Sequence, residues 1–579
     1  MKLIDALQIS QSPRNEGWPE LRVFLACGFT PLHLHTFLAA HLRIGLPGVR
    51  PEIRTGLFGN LIGNIEHLES SETDVLAVAL EWSDLDPRLG IRNLGGWRSS
   101  DMTDIVQTAE LTSQRLLHAL ETVSRDLTTV VSLPTLPLPP AFTTRPLQSG
   151  THERQLHRVL AQLAESLSGL SEVRILSEQR LAAVSAPAVR YDVKSDLGTG
   201  FPYTISHASS MGKQLASLIE NRMPMKGLIT DLDDTLWSGI VGDDGVDAIS
   251  WSLDKHSQMH GVYQQFLSSL AAAGVLIGVA SKNEAATVAE AFERRDLLLS
   301  KEDVFPFEVH WSRKSESVRR TLNTWNIAAD AVVFIDDNPA EIAEVQAAFP
   351  ELTCRLFPKS DPAKILALLE ELRDLFGKPV ISEEDSLRMR SIRSAGAWRT
   401  ASGAPASASD EFLQSAQSRI WFERSRATDD LRAFELVNKT NQFNLNGKRY
   451  TESEWRQYLA DPAAFLITAA YEDKYGALGK IAVLMGTRHA SCVHVHSLVM
   501  SCRAFCRRIE YQCLQYLFDE FGADQVSFEY KPTPRNSPLE EFLKSLIDGP
   551  PEAPVRLTKE MYSTKSIPLF HHVEVSAHV

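Results

Sequence analysis

Short apolar runs alternate with amphipathic stretches over the first 220 residues of the chain. The apolar runs have the length of buried strands and lie at 21–29, 74–82, 128–133 and 172–176. Stretches with apolar residues every three or four positions, as on one face of a helix, lie at 31–46, 101–126, 152–170 and 207–223. Strands separated by helices predict a parallel α/β sheet.

The same alternation recurs from residue 224 to about 380, with more strongly apolar runs. Strands are predicted at 226–230, 274–280 and 331–336, and each of these runs ends in polar residues. In open parallel sheets, ligands bind beyond the carboxyl ends of the strands. The sequence therefore predicts a functional site at this edge of a second sheet.

A stretch of small residues and proline at 394–410 separates a last segment from the rest. That segment has strand-like runs at 463–473, 479–488 and 492–500, followed by a helical pattern at 507–522. The predicted fold class is multidomain α/β with a C-terminal α+β domain. The predicted domains are 1–220, 221–380, a linker with a connecting helix at 381–414, and 415–579.

The composition is that of a soluble globular protein and excludes several functions. A net charge of −14 argues against general nucleic-acid binding and against electrostatic attachment to a membrane. Apolar runs of about 18 residues, which a membrane-spanning helix needs, are absent from the sequence, and the N-terminus lacks the apolar core of a signal peptide. Six scattered cysteines suit a reducing compartment, so we expect a cytoplasmic protein.

The stretch KGLITDLDDTLWSG, residues 226–239, poses an electrostatic problem. It places Asp231, Asp233 and Asp234 directly after a run that we expect to be buried. Like charges this close repel each other, and a carboxylate at the end of a core strand is costly to desolvate. A divalent cation offsets that repulsion, and hard carboxylate oxygens suit Mg²⁺.

Further polar residues follow the other strands of this segment. Ser281 and Asn283 close the strand at 274–280, Lys314 lies in the next connection, and Asp336 and Asp337 close the strand at 331–336. If these strands are neighbours, all the side chains share one rim. We therefore expect Mg²⁺ among Asp231, Asp233 and Asp336.

This constellation resembles the haloacid dehalogenase (HAD) phosphotransferase superfamily. The four motifs of that superfamily match Asp231-x-Asp233-x-Thr235, Ser281, Lys314 and Asp336–Asp337 in order. The resemblance implies that Asp231 is the nucleophile, that Asp233 is the general acid and base, and that Ser281 and Lys314 hold the phosphoryl oxygens. It further implies phosphate contacts from Thr235 and Asn283, and Mg²⁺ held by Asp231, the backbone carbonyl of Asp233, Asp336 and Asp337.

The residues after the first motif resemble the FkbH-like branch of the superfamily. The matching positions are Trp237, Gly239, Gly242, Gly245, Trp311, Lys314, Asn338, Pro339 and Glu341. About 25 residues separate Thr235 from the next helix, so the insert is a flap and leaves the site open to a bulky substrate. The resemblance implies an enzyme of polyketide biosynthesis that removes phosphate from 1,3-bisphosphoglycerate and loads a glyceryl unit onto the phosphopantetheine thiol of an acyl carrier protein.

One position departs from the pattern of that branch. Many glyceryl-loading members have Cys-Ser-Lys-Asn at the second motif, whereas this chain has Ala280-Ser281-Lys282-Asn283. A thioester at Ala280 is impossible, although the phosphate chemistry is unaffected. Either the glyceryl unit passes straight to the carrier thiol, or another nucleophile serves, or the substrate differs. Two other functions also stay open: a Mg²⁺-dependent phosphatase without acyl transfer, and a scaffold whose HAD site is a relic.

Residues 1–220 resemble the SGNH-hydrolase-like domain that precedes the HAD domain in longer FkbH-like proteins. FLACGFTP stands where the nucleophile block would lie, and it offers Thr30 in place of serine. His207 is the candidate base, and no acid is spaced to orient it. We therefore expect a degenerate domain that serves in docking or as a scaffold.

Residues 415–579 resemble a GNAT-like acyltransferase domain, with ELVNKTNQFNLNGKRYT at 435–451 as the clearest match. The turn SCRAFCRRIE lacks the glycines that let a pyrophosphate approach a helix N-terminus. Arg503, Arg507 and Arg508 are candidates for binding the phosphate of a phosphopantetheine arm. The alternatives are a solvated helix start, or carrier docking at Arg388, Arg390, Arg393 and Arg399.

Overall fold

The structure is a computed structural model in which the chain forms two compact units, Met1–Arg222 and Met223–Val579. The segments described are 1–12, 17–94, 97–141, 147–378, 410–424, 430–474, 476–489, 491–501, 504–505, 507–533, 536–547 and 549–577, together with residues 145, 381 and 392. Arg503 and the cluster from Arg388 to Arg399 lie outside these residues. No helix in the described part of the chain is both long and apolar enough to cross a membrane.

The first unit contains a parallel five-stranded sheet of order β2-β1-β3-β4-β5. Its strands are β1 (Glu20–Cys27), β2 (Arg50–Thr55), β3 (Val75–Ala79), β4 (Thr128–Ser132) and β5 (Val173–Ile175). Its helices are α1 (Leu3–Gln11), α2 (Leu32–Gly45), α3 (Leu61–Glu66), α4 (Trp82–Leu85), α5 (Met102–Val123), α6 (Thr151–Ser168), α7 (Glu178–Val184), α8 (Val193–Thr199) and α9 (Ile205–Glu220).

The second unit begins with another parallel sheet, of order β10-β9-β6-β7-β8. Its strands are β6 (Gly227–Thr230), β7 (Leu276–Ser281), β8 (Val304–Val309), β9 (Val332–Asp336) and β10 (Thr353–Leu356). Its helices are α10 (Val241–Asp244), α11 (Gln258–Ala272), α12 (Ala285–Ala291), α13 (Lys314–Trp325), α14 (Pro339–Ala348) and α15 (Pro362–Phe376).

Both faces of this sheet are buried, which explains its uninterrupted apolar strands. Leu228 of β6 packs into one apolar cluster with helices α11 and α15, and its neighbour Ile229 packs into a second cluster with α13 and α14. Successive side chains of a strand point to opposite faces, so a strand covered on both sides needs apolar residues at every position. The first polar side chains of β6, β7 and β9 therefore come at the strand ends.

The remainder of the second unit is a mixed sheet of order β17-β16-β15-β14-β13-β11-β18, with β12 paired to β15. Its strands are β11 (Arg419–Arg424), β12 (Phe443–Asn444), β13 (Ala464–Asp473), β14 (Gly476–His489), β15 (Cys492–Met500), β16 (Gln525–Phe528), β17 (Val555–Thr558) and β18 (His572–Ala577). Its helices are α16 (Asp410–Ser415), α17 (Leu431–Lys439), α18 (Glu452–Ala460), α19 (Ile509–Phe521), α20 (Ser537–Leu546) and α21 (Lys559–Thr564).

The multidomain α/β fold predicted from the sequence is confirmed. The predicted strands at 74–82, 274–280 and 492–500 correspond to β3, β7 and β15. Several strands were not predicted, namely β2, β8, β10, β11, β16, β17 and β18. The predicted flap is a short insert between β6 and α11, built from the single helical turn α10 and a bridge between Ser238 and Ser250.

Candidate active site

The carboxyl ends of three adjacent strands bring the predicted residues to one edge of the second sheet. Strand β6 lies between β9 and β7, and all three are parallel. Asp231 follows β6 directly, Ser281 is the last residue of β7, and Asp336 is the last residue of β9. The prediction that these side chains share one rim follows from this register.

Lys314 is the cation at the centre of the group. It is the first residue of α13, and its side chain is only 3% exposed. Its Nζ lies 2.6 Å from Oδ1 of Asp231 and 3.0 Å from Oδ2 of Asp336, and it donates a hydrogen bond of 2.7 Å to the carbonyl of Ala280. Burial acts to lower the pKa of Lys314, but the two carboxylates outweigh it and raise this pKa, so the ammonium stays charged.

The two carboxylates beside Lys314 are also buried. Burial raises the pKa of both Asp231 and Asp336; Lys314 opposes this in each case, and Asp336 adds to the rise at Asp231. One buried ammonium therefore faces two buried acids, which leaves a net negative charge at the site. Such a site favours an additional cation.

Asp233 is held by hydrogen bonds from two directions. Its Oδ1 accepts from the indole of Trp237 at 2.9 Å and from the backbone N–H of Val241 in the flap at 3.0 Å. Its Oδ2 accepts from Nδ2 of Asn283 at 2.9 Å. The flap and the end of β7 therefore fix this carboxylate in place.

Three carboxylates form a group that could hold a metal ion. Asp231, Asp336 and Asp337 each offer one oxygen, and these oxygens lie within 4.8 Å of one another. Three hard, anionic oxygens are a donor set that suits Mg²⁺. The side chain of Asp233 lies outside this group, so its expected contribution is its backbone carbonyl.

Lys359 is a second cation at the site, and it was not predicted from the sequence. Its Nζ lies 2.8 Å from Asp337 and 2.7 Å from Asp234. Burial acts to raise the pKa of Asp234, but hydrogen bonds from Lys359 and Gly239 outweigh it and lower this pKa. Lys359 follows β10, a strand that was not predicted, and a lone lysine in a loop belongs to none of the four motifs.

The remaining predicted phosphate contacts differ in their placement. Asn283 also donates to Oγ of Ser281 at 3.1 Å, so these two side chains form one polar group beside Asp233. Thr235, by contrast, is completely buried, and its carbonyl accepts from the ring of His260 at 3.0 Å. A role of Thr235 in phosphate binding stays a prediction, and the complete burial of this residue does not support it.

The first unit has a cavity of about 720 Å³ at the carboxyl ends of its strands, where the sheet order reverses between β1 and β3. Half-buried Asp84 lines it and lies so close to Gly28 that a Cβ there would come within 1.7 Å of Oδ1. Burial raises the pKa of Asp84 to about 7. A side chain at position 28 would therefore require the carboxylate of Asp84 to shift.

Thr30 and His207 do not form a nucleophile and base pair in this unit. The hydroxyl of Thr30 donates to the carbonyl of Thr199 at 2.9 Å. His207 is completely buried, and its two ring nitrogens are 3.0 Å from Oγ1 of Thr135 and 2.9 Å from Oγ of Ser185. Burial lowers the pKa of His207 to about 3, so this ring is a neutral part of the core.

The arginines at the start of α19 do not act as one phosphate-binding group. Arg507 is 2% exposed, and its Nε lies 3.2 Å from Asp473, which is itself 1% exposed. The assignment of Arg507 to phosphate binding is therefore corrected, because its guanidinium forms a buried structural ion pair. Arg508 lies nearer the surface, where it pairs with Asp410 at 2.6 Å and donates to the carbonyl of Pro568 at 2.9 Å.

Strands β15 and β16 pair only over 492–495 and 525–528, and the chain itself fills the gap beyond them. Strand β12 pairs with residues 499–500 of β15, and the N–H of Leu445 donates to the carbonyl of Leu498 at 3.0 Å. On the other side, the N–H of Lys531 donates to the carbonyl of Leu445 at 3.1 Å. The segment 443–447, of which Phe443–Asn444 is strand β12, therefore occupies the gap.

Comparisons with known proteins agree with this fold. No protein-family model matches the chain, and no curated protein matches it. Among solved structures, the chain is similar to the N-terminal part of protein BF1531 from Bacteroides fragilis, which contains a phosphatase domain and is complexed with Mg. The identity is 19% and the TM-score 0.53, and the match covers 66% of this chain and all of that one. The two proteins therefore share a fold.

Proposed function

We propose that the chain is a HAD-type phosphatase that uses Mg²⁺ and forms an aspartyl-phosphate on Asp231. The observation that carries the proposal is the geometry around Lys314, whose ammonium lies 2.6 Å from Asp231 and 3.0 Å from Asp336 at one sheet edge. The Mg-bound phosphatase domain of BF1531, which has the same fold, supports it.

In the first step, an oxygen of Asp231 attacks the phosphorus while the bond from phosphorus to the leaving oxygen breaks. Asp233 gives its proton to that leaving oxygen. In the second step, Asp233 takes a proton from water, and the water oxygen attacks the aspartyl-phosphate. Inorganic phosphate leaves, and the Asp231 carboxylate and the Asp233 acid are regenerated.

The neighbouring residues orient these groups and neutralise charge. Asn283 and Val241 donate to different oxygens of Asp233, so its carboxylate is fixed. Lys314 and the Ser281 hydroxyl are the donors for the phosphoryl oxygens, which gain charge as the transfer proceeds. Mg²⁺ held by Asp231, Asp336 and Asp337 supplies further positive charge when it is bound.

At a finer level, we propose the reaction of FkbH-like proteins, in which 1,3-bisphosphoglycerate loses phosphate and a glyceryl unit passes to the phosphopantetheine thiol of an acyl carrier protein. The short flap and the matching residues around Trp237 and Asn338 support this. The carbonyl of Ala280 accepts from Lys314, but the side chain carries no thiol. The carrier thiol then attacks C1 directly and displaces the acyl phosphate there, while the Asp231 site removes the ester phosphate at C3; plain phosphatase activity is the alternative.

Two measurements test the proposal at its two levels. Phosphate release from a panel of phosphate esters and 1,3-bisphosphoglycerate should require Mg²⁺ and stop with EDTA; release that survives chelation would rule out the HAD mechanism. Intact-protein mass spectrometry of a holo carrier protein should show a glyceryl adduct that forms only with enzyme, Mg²⁺ and 1,3-bisphosphoglycerate. Phosphate release without that adduct supports the phosphatase alternative.

The carrier contact can be tested separately at Arg508. Reversal of its charge in Arg508→Glu should raise the KM for the holo carrier roughly tenfold, since a charged contact is worth ~1.5–3 kcal/mol. Hydrolysis of a small ester should not change, because the catalytic groups lie at the edge of another sheet. Arg556→Glu, at an exposed residue of β17, is the matched control. An unchanged KM in Arg508→Glu removes this arginine from carrier binding.

A further inference from the structure

Two exposed apolar side chains lie in segments that contact the site, one in the flap and one in the loop between β8 and α13. Trp311 is 68% exposed and Ile240 is 44% exposed, so both side chains are accessible to a ligand. Trp311 lies between β8 and Lys314, and Ile240 directly precedes α10 in the flap.

Hydrogen bonds place both residues next to Asp233. Val241, which follows Ile240, donates its N–H to Oδ1 of Asp233 at 3.0 Å, and Asn283 donates to Oδ2 at 2.9 Å. Glu284, which follows Asn283, accepts from the indole Nε1 of Trp311 at 3.0 Å. Ile240 is therefore one residue from Val241, and Trp311 is one hydrogen bond and one residue from Asn283, and both Val241 and Asn283 donate to the proposed general acid.

Both positions are fixed by the backbone. The N–H of His310, next to Trp311, donates to the carbonyl of Ser281 at 3.1 Å, which ties this loop to the end of β7. The N–H of Ile240 donates to Oδ2 of Asp244 at 2.8 Å. An exposed indole that is held by a loop contact and by its own N–H is preorganised for packing against a ligand.

We infer that Trp311 and Ile240 form an apolar platform that determines leaving-group specificity and favours phosphate esters with an uncharged, apolar or aromatic leaving group. The inference rests on the proposed phosphatase function in its form without acyl transfer, because the leaving group of 1,3-bisphosphoglycerate is charged. Asp233 protonates the leaving oxygen. The leaving group must therefore lie beside the residues that donate hydrogen bonds to Asp233. The carboxylate of Glu284 beside the indole acts against leaving groups that carry a negative charge.

The test compares two esters in the full-length protein with Mg²⁺. Trp311→Ala should lower kcat/KM for 1-naphthyl phosphate at least tenfold, mainly through KM, and change it less than twofold for glycerol 2-phosphate. Tenfold corresponds to about 1.4 kcal/mol, or to about 55 Å² of apolar contact at about 25 cal/mol per Å². Each variant is compared with the wild type on the same ester, so the different leaving-group pKa values cancel.

Three further variants make the result specific. Trp311→Phe should restore most of the activity on the naphthyl ester, and Ile240→Ala should lower it about threefold, since less apolar area is lost. Leu298→Ala removes an apolar side chain that is 49% exposed in the connection before β8, outside the residues that hydrogen-bond to Asp233, and should change neither ester. An equal loss on both esters in Trp311→Ala, or no loss on the naphthyl ester, overturns the inference.

Failure of the proposed function gives a different result. If the wild type hydrolyses no ester with Mg²⁺, the phosphatase assignment fails while the platform can still be measured. Calorimetric binding of 1-naphthyl phosphate should then be at least tenfold weaker in Trp311→Ala than in the wild type, and unchanged in Leu298→Ala. Equal affinities in all three proteins overturn the platform itself.

Discussion

Replacement of Lys314 by methionine should strongly destabilise the sheet that carries the site. The ammonium is 3% exposed and contacts two carboxylates that are buried with it, at 2.6 and 3.0 Å. Removal of one partner from a buried ion pair costs about 3–5 kcal/mol, because the remaining charge stays buried without compensation. A tenfold change in exchange rate corresponds to about 1.4 kcal/mol. In EDTA, backbone amides of β6 should therefore exchange with solvent about two to three decades faster in the variant than in the wild type.

Hydrogen exchange followed by mass spectrometry measures this on a peptide that covers β6. Added Mg²⁺ should recover part of the protection in Lys314→Met, because the cation replaces the lost positive charge. The double variant Lys314→Met with Asp336→Asn should be more protected than the single variant, since one unpaired acid is removed. Protection within threefold of the wild type in EDTA would refute the electrostatic reasoning.

Lys282→Met is the matched control for this experiment. Lys282 follows β7 and pairs with Glu341 at 2.6 Å, but both side chains are partly exposed. Exposed pairs contribute about 0–1 kcal/mol, so the exchange rate in β6 should change by less than about one decade. A loss as large as in Lys314→Met would show that any lysine removed at this edge unfolds the sheet.

The other predictions concern the nucleophile and the two flanking regions. Asp231→Asn should lower phosphate release by about three decades or more, and beryllium fluoride should form its adduct on Asp231; an adduct on another residue contradicts the assignment. Asp84 has a raised pKa in the folded protein, so the folded state binds its proton more tightly than the unfolded state. The free energy of unfolding therefore falls as pH rises from about 4 to 7, by up to about 1.4 kcal/mol per pH unit. Asp84→Asn should remove this part of the pH dependence of thermal unfolding. The lowered pKa of His207 gives a pH dependence of the opposite sign, and this contribution is the same in the wild type and in the variant. Arg507→Met should destabilise α19 by about 3–5 kcal/mol in hydrogen exchange, and unchanged protection there would contradict a structural role for the pair with Asp473.

Much of the candidate site could be predicted from the sequence because its residues are tied to strand ends. A strand buried on both faces has apolar residues throughout, so the first polar residues after β6, β7 and β9 mark the carboxyl edge of the sheet. The observed order, with β6 between β9 and β7, then brings Asp231, Ser281 and Asp336 together; from the sequence this adjacency was an assumption. Lys314 was predicted as a site residue from the order of the four motifs, but only the structure shows that its ammonium lies between two carboxylates.

The remaining features depend on contacts between residues far apart in the chain. Arg507 was assigned to phosphate binding because it lies at a predicted helix N-terminus, and no local pattern shows that Asp473, 34 residues earlier, is buried against it. The partners of Lys359 lie in two other loops, and one of them is 125 residues away. Short edge strands such as β10 and β17, of four residues each, carry too little periodicity to be recognised.

Segment 443–447 fills the gap between β15 and β16, and it therefore competes with any free molecule that could bind there. Segment 443–447 is covalently attached and anchored on both sides, so it acts as an intramolecular ligand with an effective concentration on the order of millimolar or more. To displace the segment from half of the molecules, an extended free molecule at micromolar concentration must have an intrinsic affinity for the gap about a thousandfold higher than that of the segment. The gap is therefore saturated by the chain itself.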